Sequence, residues 1–145
     1  MSADDQENPY PFYLGARLLL MTSLWEGLPV SLLEAFSFGV PAIVSNCSSG
    51  IRSLFDETDL SAEMSENHQL KMTRYGYLMY EFGTEYDEIT TKVWAEPIKN
   101  IFRDDVYHAS CVVATKLKAA TFDISEIMTI WERKFGVICR KSMAR

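Results

Sequence analysis

Basic charge is scarce in this chain: fourteen Lys and Arg stand against twenty Asp and Glu, a formal net charge of -6. A surface built to hold a phosphate backbone carries the opposite sign, which argues against nucleic acid as a main partner. Long apolar runs are lacking too. No stretch approaches the roughly eighteen uninterrupted apolar residues of a membrane helix, so no transmembrane segment is expected. The opening MSADDQENPYPFY is acidic where a secretory signal is basic and then apolar. A cytoplasmic protein is expected, with peripheral association at the inner face of a membrane the one membrane role left open. Cysteine is sparse: Cys47, Cys111 and Cys139 are far apart, odd in number and without a C-x-x-C, which fits reduced thiols rather than a disulfide scaffold.

What is present is the balance of a globular domain. The 145 residues are 48% apolar and 23% charged, enough for one core and too little for two. Residues 1–145 are therefore read as a single domain. Residues 1–8 are polar and expected to be loose, and Asn8-Pro9-Tyr10-Pro11 reads as a turn or extended entry. Leu18 to Thr22 is a short apolar run, a strand expected to be buried on both faces. After a loop from Ser23 to Leu28, Pro29 suits the first turn of a helix that ends near Gly39. Ala42 to Ser45 is a second buried strand, completing a βαβ unit. Residues 56–74 read as a surface loop. Gly76 to Tyr80 is a third strand, and helices are expected from Glu88 onward. In the first, Ile89, Val93, Trp94, Ile98, Ile101 and Phe102 share a face, with Pro97 kinking or restarting it. The second runs from Asp105 to Ala119. The third is capped by Asp123 and Glu126, with Ile124, Ile127, Met128, Trp131 and Phe135 as its buried stripe. The fold class is α/β, a partial Rossmann-like domain with a short parallel sheet and a helical C-terminal third.

The stretch Ser23-Leu24-Trp25-Glu26-Gly27-Leu28-Pro29-Val30-Ser31-Leu32-Leu33-Glu34-Ala35 carries the chemistry. It leaves the carboxyl end of a strand and feeds a helix N-terminus, which is where open α/β sheets bind ligands. Amides of Gly27, Leu28, Val30 and Ser31 and the helix dipole favour an anion such as phosphate. Glu34 stands where a carboxylate can accept two hydrogen bonds from a sugar diol, and Glu26 faces the same crevice. The plainer alternative is that Glu26 only complements the dipole and Glu34 is a solvated surface residue.

NPYPFYLGARLLLMTSLWEGLPVSLLEAFSFGVPAIVSNCSSGIR resembles the C-terminal domain of the retaining GT-B glycosyltransferases of family four. Their hallmark is two glutamates separated by seven residues within E-G-[LF]-P-x-x-x-x-E-A, then G-x-P-[VA]-[IV]. Here it stands as Glu26, Gly27, Leu28, Pro29, Glu34, Ala35, Gly39, Pro41, Ala42 and Ile43. The resemblance implies a nucleoside-diphosphate sugar as donor and a saccharide or lipid-linked acceptor, with roles in polysaccharide biosynthesis. Glu34 would bind the ribose hydroxyls, and Glu26 would lie beside the transferred sugar and its leaving diphosphate. Gly27, Leu28, Pro29 and Val30 would hold sugar and phosphates. No cofactor or metal is implied, and no Asp-x-Asp is found in the sequence.

Departures from the family pattern also count. The acceptor domain and the basic pair that clamps the diphosphate would lie upstream, and residues 1–14 contain no Lys or Arg. Ser53 follows Arg52 where an acidic residue is common. Donor binding is therefore expected, and transfer by this chain alone is not. An uncovered strand edge is expected to pair with a second copy or with a separate acceptor-half chain. A non-catalytic nucleotide-sugar binder and a degenerate remnant are the alternatives. His68 and His108 read as surface or capping residues. Cys47 reads as a small buried residue beside the crevice. Ser48-Ser49-Gly50 is either a phosphate-contacting turn or a plain turn. Trp25 either lines the sugar pocket or braces the helix, and Arg52 either touches phosphate or sits on the surface.

Overall fold

The computed structural model describes residues 8–57, 70–79, 88–125, 127–129 and 133. In chain order the elements are α1 (Tyr10–Gly15), β1 (Leu19–Met21), α2 (Val30–Ser37), β2 (Ala42–Ser45) and α3 (Ser49–Leu54), then β3 (Leu70–Thr73), β4 (Gly76–Met79), α4 (Glu88–Arg103) and α5 (Asp105–Ala120). The sheet order is β1-β2-β4-β3. β1 and β4 flank β2 in parallel, and β3 is antiparallel to β4.

Alternation along the strands sorts the core into two layers. Ala42 and Val44 of β2 and Leu78 of β4 face Leu32 and Phe36 of α2 and Ile51 and Leu54 of α3. Ile43, Tyr77 and Met79 face the other way, against Trp94 and Ile101 of α4. Both central strands are buried throughout, which explains their unbroken apolar sequences. On the first side Phe36, Phe55 and Tyr75 form a triangle of rings with centroids 5.7–5.8 Å apart. Such contacts add about 0.5–1.5 kcal/mol each beyond the area they bury.

The structure corrects several expectations. β1 is an edge strand, and Leu20 is 49% exposed rather than buried. Residues 10–15 form α1, where a turn or extended entry is expected over Asn8 to Pro11. Prolines at the start of a helix cost no hydrogen bond, because first-turn amides have no intrahelical acceptor. Ser48-Ser49-Gly50 is no plain turn: Ser48 caps α3, accepting a hydrogen bond from the amide of Ile51 at 3.1 Å. The surface loop ends earlier than expected, since residues 70–73 are β3. Pro97 lies inside one continuous α4, and Phe102 is exposed with the Arg17 guanidinium 5.6 Å from its ring centroid. Asp123 accepts from the amide of Ser125 at 2.9 Å, yet Ile124 and Met128 are 73% and 51% exposed, so these two are not part of a buried stripe. Residues 1–7, most of the surface loop, His68, Tyr80, Glu126, Trp131 and Phe135 lie outside the described residues. Among the described residues no helix is long and apolar enough to cross a membrane.

Behind α3, Asp56 collects three partners. It adopts φ +57°, accepts from Lys118 and from the Tyr75 hydroxyl, and lies 3.7 Å from Arg74. Burial pushes the Asp56 carboxyl up, but the Lys118 and Tyr75 hydrogen bonds and the two cations outweigh it and hold the group below its ordinary 3.8. Burial, then the Asp56 carboxylate, pushes the Tyr75 phenol up to about 12. A lowered folded value means the stabilisation is complete above 3.8 and is lost as pH falls through that lower value. Asp56→Asn keeps the backbone conformation accessible and removes the charge. It is expected to cost about 1 kcal/mol at neutral pH, as befits a partly exposed pair. The gap between its urea midpoint and that of the parent should shrink on acidification, and a pH-independent gap would contradict the ion pair.

Candidate functional site

Two strand ends build the candidate site. Loop 22–29 leaves the carboxyl end of β1, and residues 46–48 leave the carboxyl end of β2. Each feeds a helix, so the N-termini of α2 and α3 open beside each other at one end of the sheet. The loop is fastened from the β2 side. Ser45 Oγ donates to the Ser23 carbonyl, and Ser48 Oγ donates to the Gly27 carbonyl at 3.2 Å. Gly50 closes the contact: a Cβ there would lie 2.0 Å from the Gly27 oxygen. Arg52 Nη1 donates to Asn46 Oδ1 at 3.1 Å, which ties α3 back to the end of β2.

At the start of α2, Pro29 occupies the N-cap position with ψ 114° and makes no side-chain cap bond. The Leu32 amide donates to the Pro29 carbonyl at 3.2 Å, so the amides of Val30 and Ser31 precede the first intrahelical bond. They and the positive end of the dipole point out of the sheet's carboxyl end. Gly27, Leu28 and Val30 are exposed and Pro29 is buried, while Glu26 is half-buried ahead of the helix. Space beside Gly27 is open, with nothing within 4 Å of where a Cβ would stand.

Glu34 sits one turn further along α2, half-buried, and accepts a hydrogen bond from the Tyr13 hydroxyl at 3.3 Å. Burial and the Glu34 carboxylate both push the Tyr13 phenol above its ordinary value. Gly27, Leu28, Pro29, Val30 and Glu34 thus share one helix start, with Glu26 just before it. Trp25 is 87% exposed, so it is not buried between the helix and the sheet. Cys47 is partly buried against the core, as a small apolar residue. His108 Nε2 lies 3.1 Å from the Arg17 carbonyl, a structural contact.

Tyr13 escaped the sequence reading, as did the capping role of Ser48 and the close contact of Gly50 with the Gly27 carbonyl. For Ser48 a signal existed, since Ser before a short helical stretch is a favoured N-cap. For Gly50 and Tyr13 there was none, because each acts on a residue more than twenty positions away. Surface cavities also lie elsewhere among the described residues. One of about 610 Å³ lies beside Met72, Tyr77 and Tyr107, and one of about 360 Å³ is lined by Asp56, Tyr75 and Lys118, which bond to one another.

Residues 2–71 match the family model described as glycosyl transferases group 1. A glycosyltransferase of Methanocaldococcus jannaschii whose own role is uncharacterized is 33% identical over 82 residues, 56% of this chain and 20% of that protein. The lipopolysaccharide 1,6-galactosyltransferase of Salmonella typhimurium is 56% identical over 36 residues, 25% of this chain and 10% of its own length. A glycosyltransferase of Haemophilus influenzae, also uncharacterized, is 29% identical over 63 residues, 43% of this chain and 18% of that protein. The aligned stretches thus span a fifth or less of these relatives. The loop, α2 and β2 all fall within the matched region, so the candidate site lies in the part of the chain that is similar to the group 1 glycosyl transferases.

Proposed function

We propose that loop 22–29 and α2 hold a nucleoside-diphosphate sugar, the donor of a retaining glycosyl transfer to a saccharide or lipid-linked acceptor. One observation supports this above the others: two helix N-termini are pinned together at the carboxyl ends of adjacent parallel strands, with Glu34 a turn beyond one of them. In this reading the diphosphate lies at the amides of Gly27, Leu28, Val30 and Ser31. Charge that builds on it as the glycosidic bond breaks is met by those amides and the α2 dipole, and no metal is required. Glu26 stands beside the transferred sugar, and Pro29 sets the entry of the helix. Glu34 accepts both ribose hydroxyls. The stretch shared with a lipopolysaccharide galactosyltransferase favours envelope polysaccharide assembly, at the cytoplasmic face, as the setting.

Hydrogen bonds to a charged acceptor are worth roughly 1.5–3 kcal/mol each before losses to water. Glu34→Ala is therefore expected to weaken nucleoside-diphosphate binding at least about tenfold, one decade being 1.4 kcal/mol. A 2′,3′-dideoxyribose analogue should bind the parent protein comparably weakly and lose little more on mutation. Calorimetric titration of both proteins with both ligands tests this, with circular dichroism confirming that the variant is folded. Unchanged affinity in Glu34→Ala would remove Glu34 from the site.

A further inference from the structure

The hydroxyl of Tyr13 reaches Glu34 from another helix, across 21 positions of sequence. Two aromatic contacts fix where that hydroxyl can be. The Tyr13 ring stacks on Phe38 at 5.8 Å between centroids, and Tyr10 packs on the same Phe38 ring at 5.5 Å. Phe38 stands four residues after Glu34, just past the end of α2. Tyr13 thus lies along α2, its ring against Phe38 and its hydroxyl about one turn nearer the helix N-terminus.

We propose that Tyr13 is a positioning residue for Glu34, holding its carboxylate in the orientation that accepts the ribose diol. This rests on the reading of Glu34 given above. An unrestrained glutamate on a helix surface samples many rotamers, and binding a diol would have to select one of them. The phenol makes that selection beforehand. An ionised carboxylate offers about four acceptor positions on its two oxygens. Tyr13 donates to Oε2 and so uses one of them. All of Oε1 and a second position on Oε2 remain for two hydroxyls. Only the hydroxyl of Tyr13 is needed for this, because the ring contact with Phe38 does not touch Glu34.

Tyr13→Phe keeps the ring and removes the donor. Four proteins are compared by calorimetry, the parent, Tyr13→Phe, Glu34→Ala and the double variant, each against a nucleoside diphosphate and its 2′,3′-dideoxy analogue. Tyr13→Phe is expected to raise the Kd for the ribose ligand about fivefold and to leave that for the dideoxy ligand within about twofold. In the Glu34→Ala background it should add nothing. A merely structural role would weaken both ligands equally and lower the melting temperature along with them. If Glu34→Ala weakens binding and Tyr13→Phe does not, the positioning role is wrong while Glu34 keeps its place. A gain of affinity in Tyr13→Phe would show that the phenol occupies the diol's position, and would overturn the proposal too. If Glu34→Ala changes nothing, or the parent binds no nucleotide, the donor reading itself fails and Tyr13 has no ligand group to position.

Discussion

Gly76→Ala is expected to leave a protein that does not reach the native packing. Gly76 opens β4 at φ +125°, a conformation that side chains with a Cβ rarely adopt. A Cβ at this position would meet the Ala42 oxygen at 2.0 Å, with the Ala42 carbon and nitrogen at 2.9 and 3.0 Å. All three atoms are backbone, so no side chain can swing away. Relief requires the start of β4 to part from β2, although Ala42 pairs with Gly76 and both strands are buried on both faces. The Gly76 carbonyl also accepts from the Tyr107 hydroxyl at 2.9 Å and from Thr73 at 3.0 Å, and these would move with it. Backbone strain alone costs about 1–3 kcal/mol. With lost packing, the total should exceed about 4 kcal/mol, a large share of the roughly 5–15 kcal/mol that holds a typical domain. Near-UV circular dichroism and urea denaturation measure it. A cooperative transition within about 1 kcal/mol of the parent would show that the strand junction yields more easily than its geometry implies.

Gly50→Ala is the second large effect, and it falls on the candidate site. The added Cβ would lie 2.0 Å from the Gly27 oxygen, 2.8 Å from its carbon and 3.3 Å from Cα of Leu28. The first turn of α3 must then move off loop 22–29, breaking the Ser48 to Gly27 hydrogen bond. We expect a loss of about 2–3 kcal/mol of stability, as for other backbone overpacking. On the proposed reading nucleoside-diphosphate binding should fall at least about tenfold, one decade being 1.4 kcal/mol. Gly27→Ala makes the control. Its Cβ would meet nothing within 4 Å, so the melting temperature should stay close to that of the parent. Any loss of nucleotide affinity in Gly27→Ala would then come from the ligand's side of the loop. Equal stability losses in both variants would refute the distinction between the two glycines.

The parts of the fold legible in the sequence are those whose signals are local. β1, α2 and β2 were readable because apolar runs, Pro29, Gly39 and Pro41 mark each boundary within a few residues. β4 was readable for the same reason. Three short elements were not. α1 and α3 have six residues each, less than two turns, so no amphipathic period can build up. β3 alternates exposed Leu70 and Met72 with partly buried Lys71 and Thr73, an edge-strand pattern that looks polar in sequence. The candidate site divides the same way. Glu26 to Glu34 is contiguous and visible, whereas Tyr13, Ser48 and Gly50 matter only through partners that the fold delivers.

The order of strands in the sheet has a consequence for how the chain assembles. β4 lies between β2 and β3, so the sheet cannot grow by adding strands in the order of synthesis. The β3–β4 pair spans only Leu70 to Met79 and closes through a two-residue turn, a local event that takes about 1–10 μs as in other hairpins. Pairing β4 with β2 instead joins segments more than thirty residues apart, and that closure entropy must be met first. The topology thus predicts that the hairpin forms before it docks along β2 as a two-stranded unit.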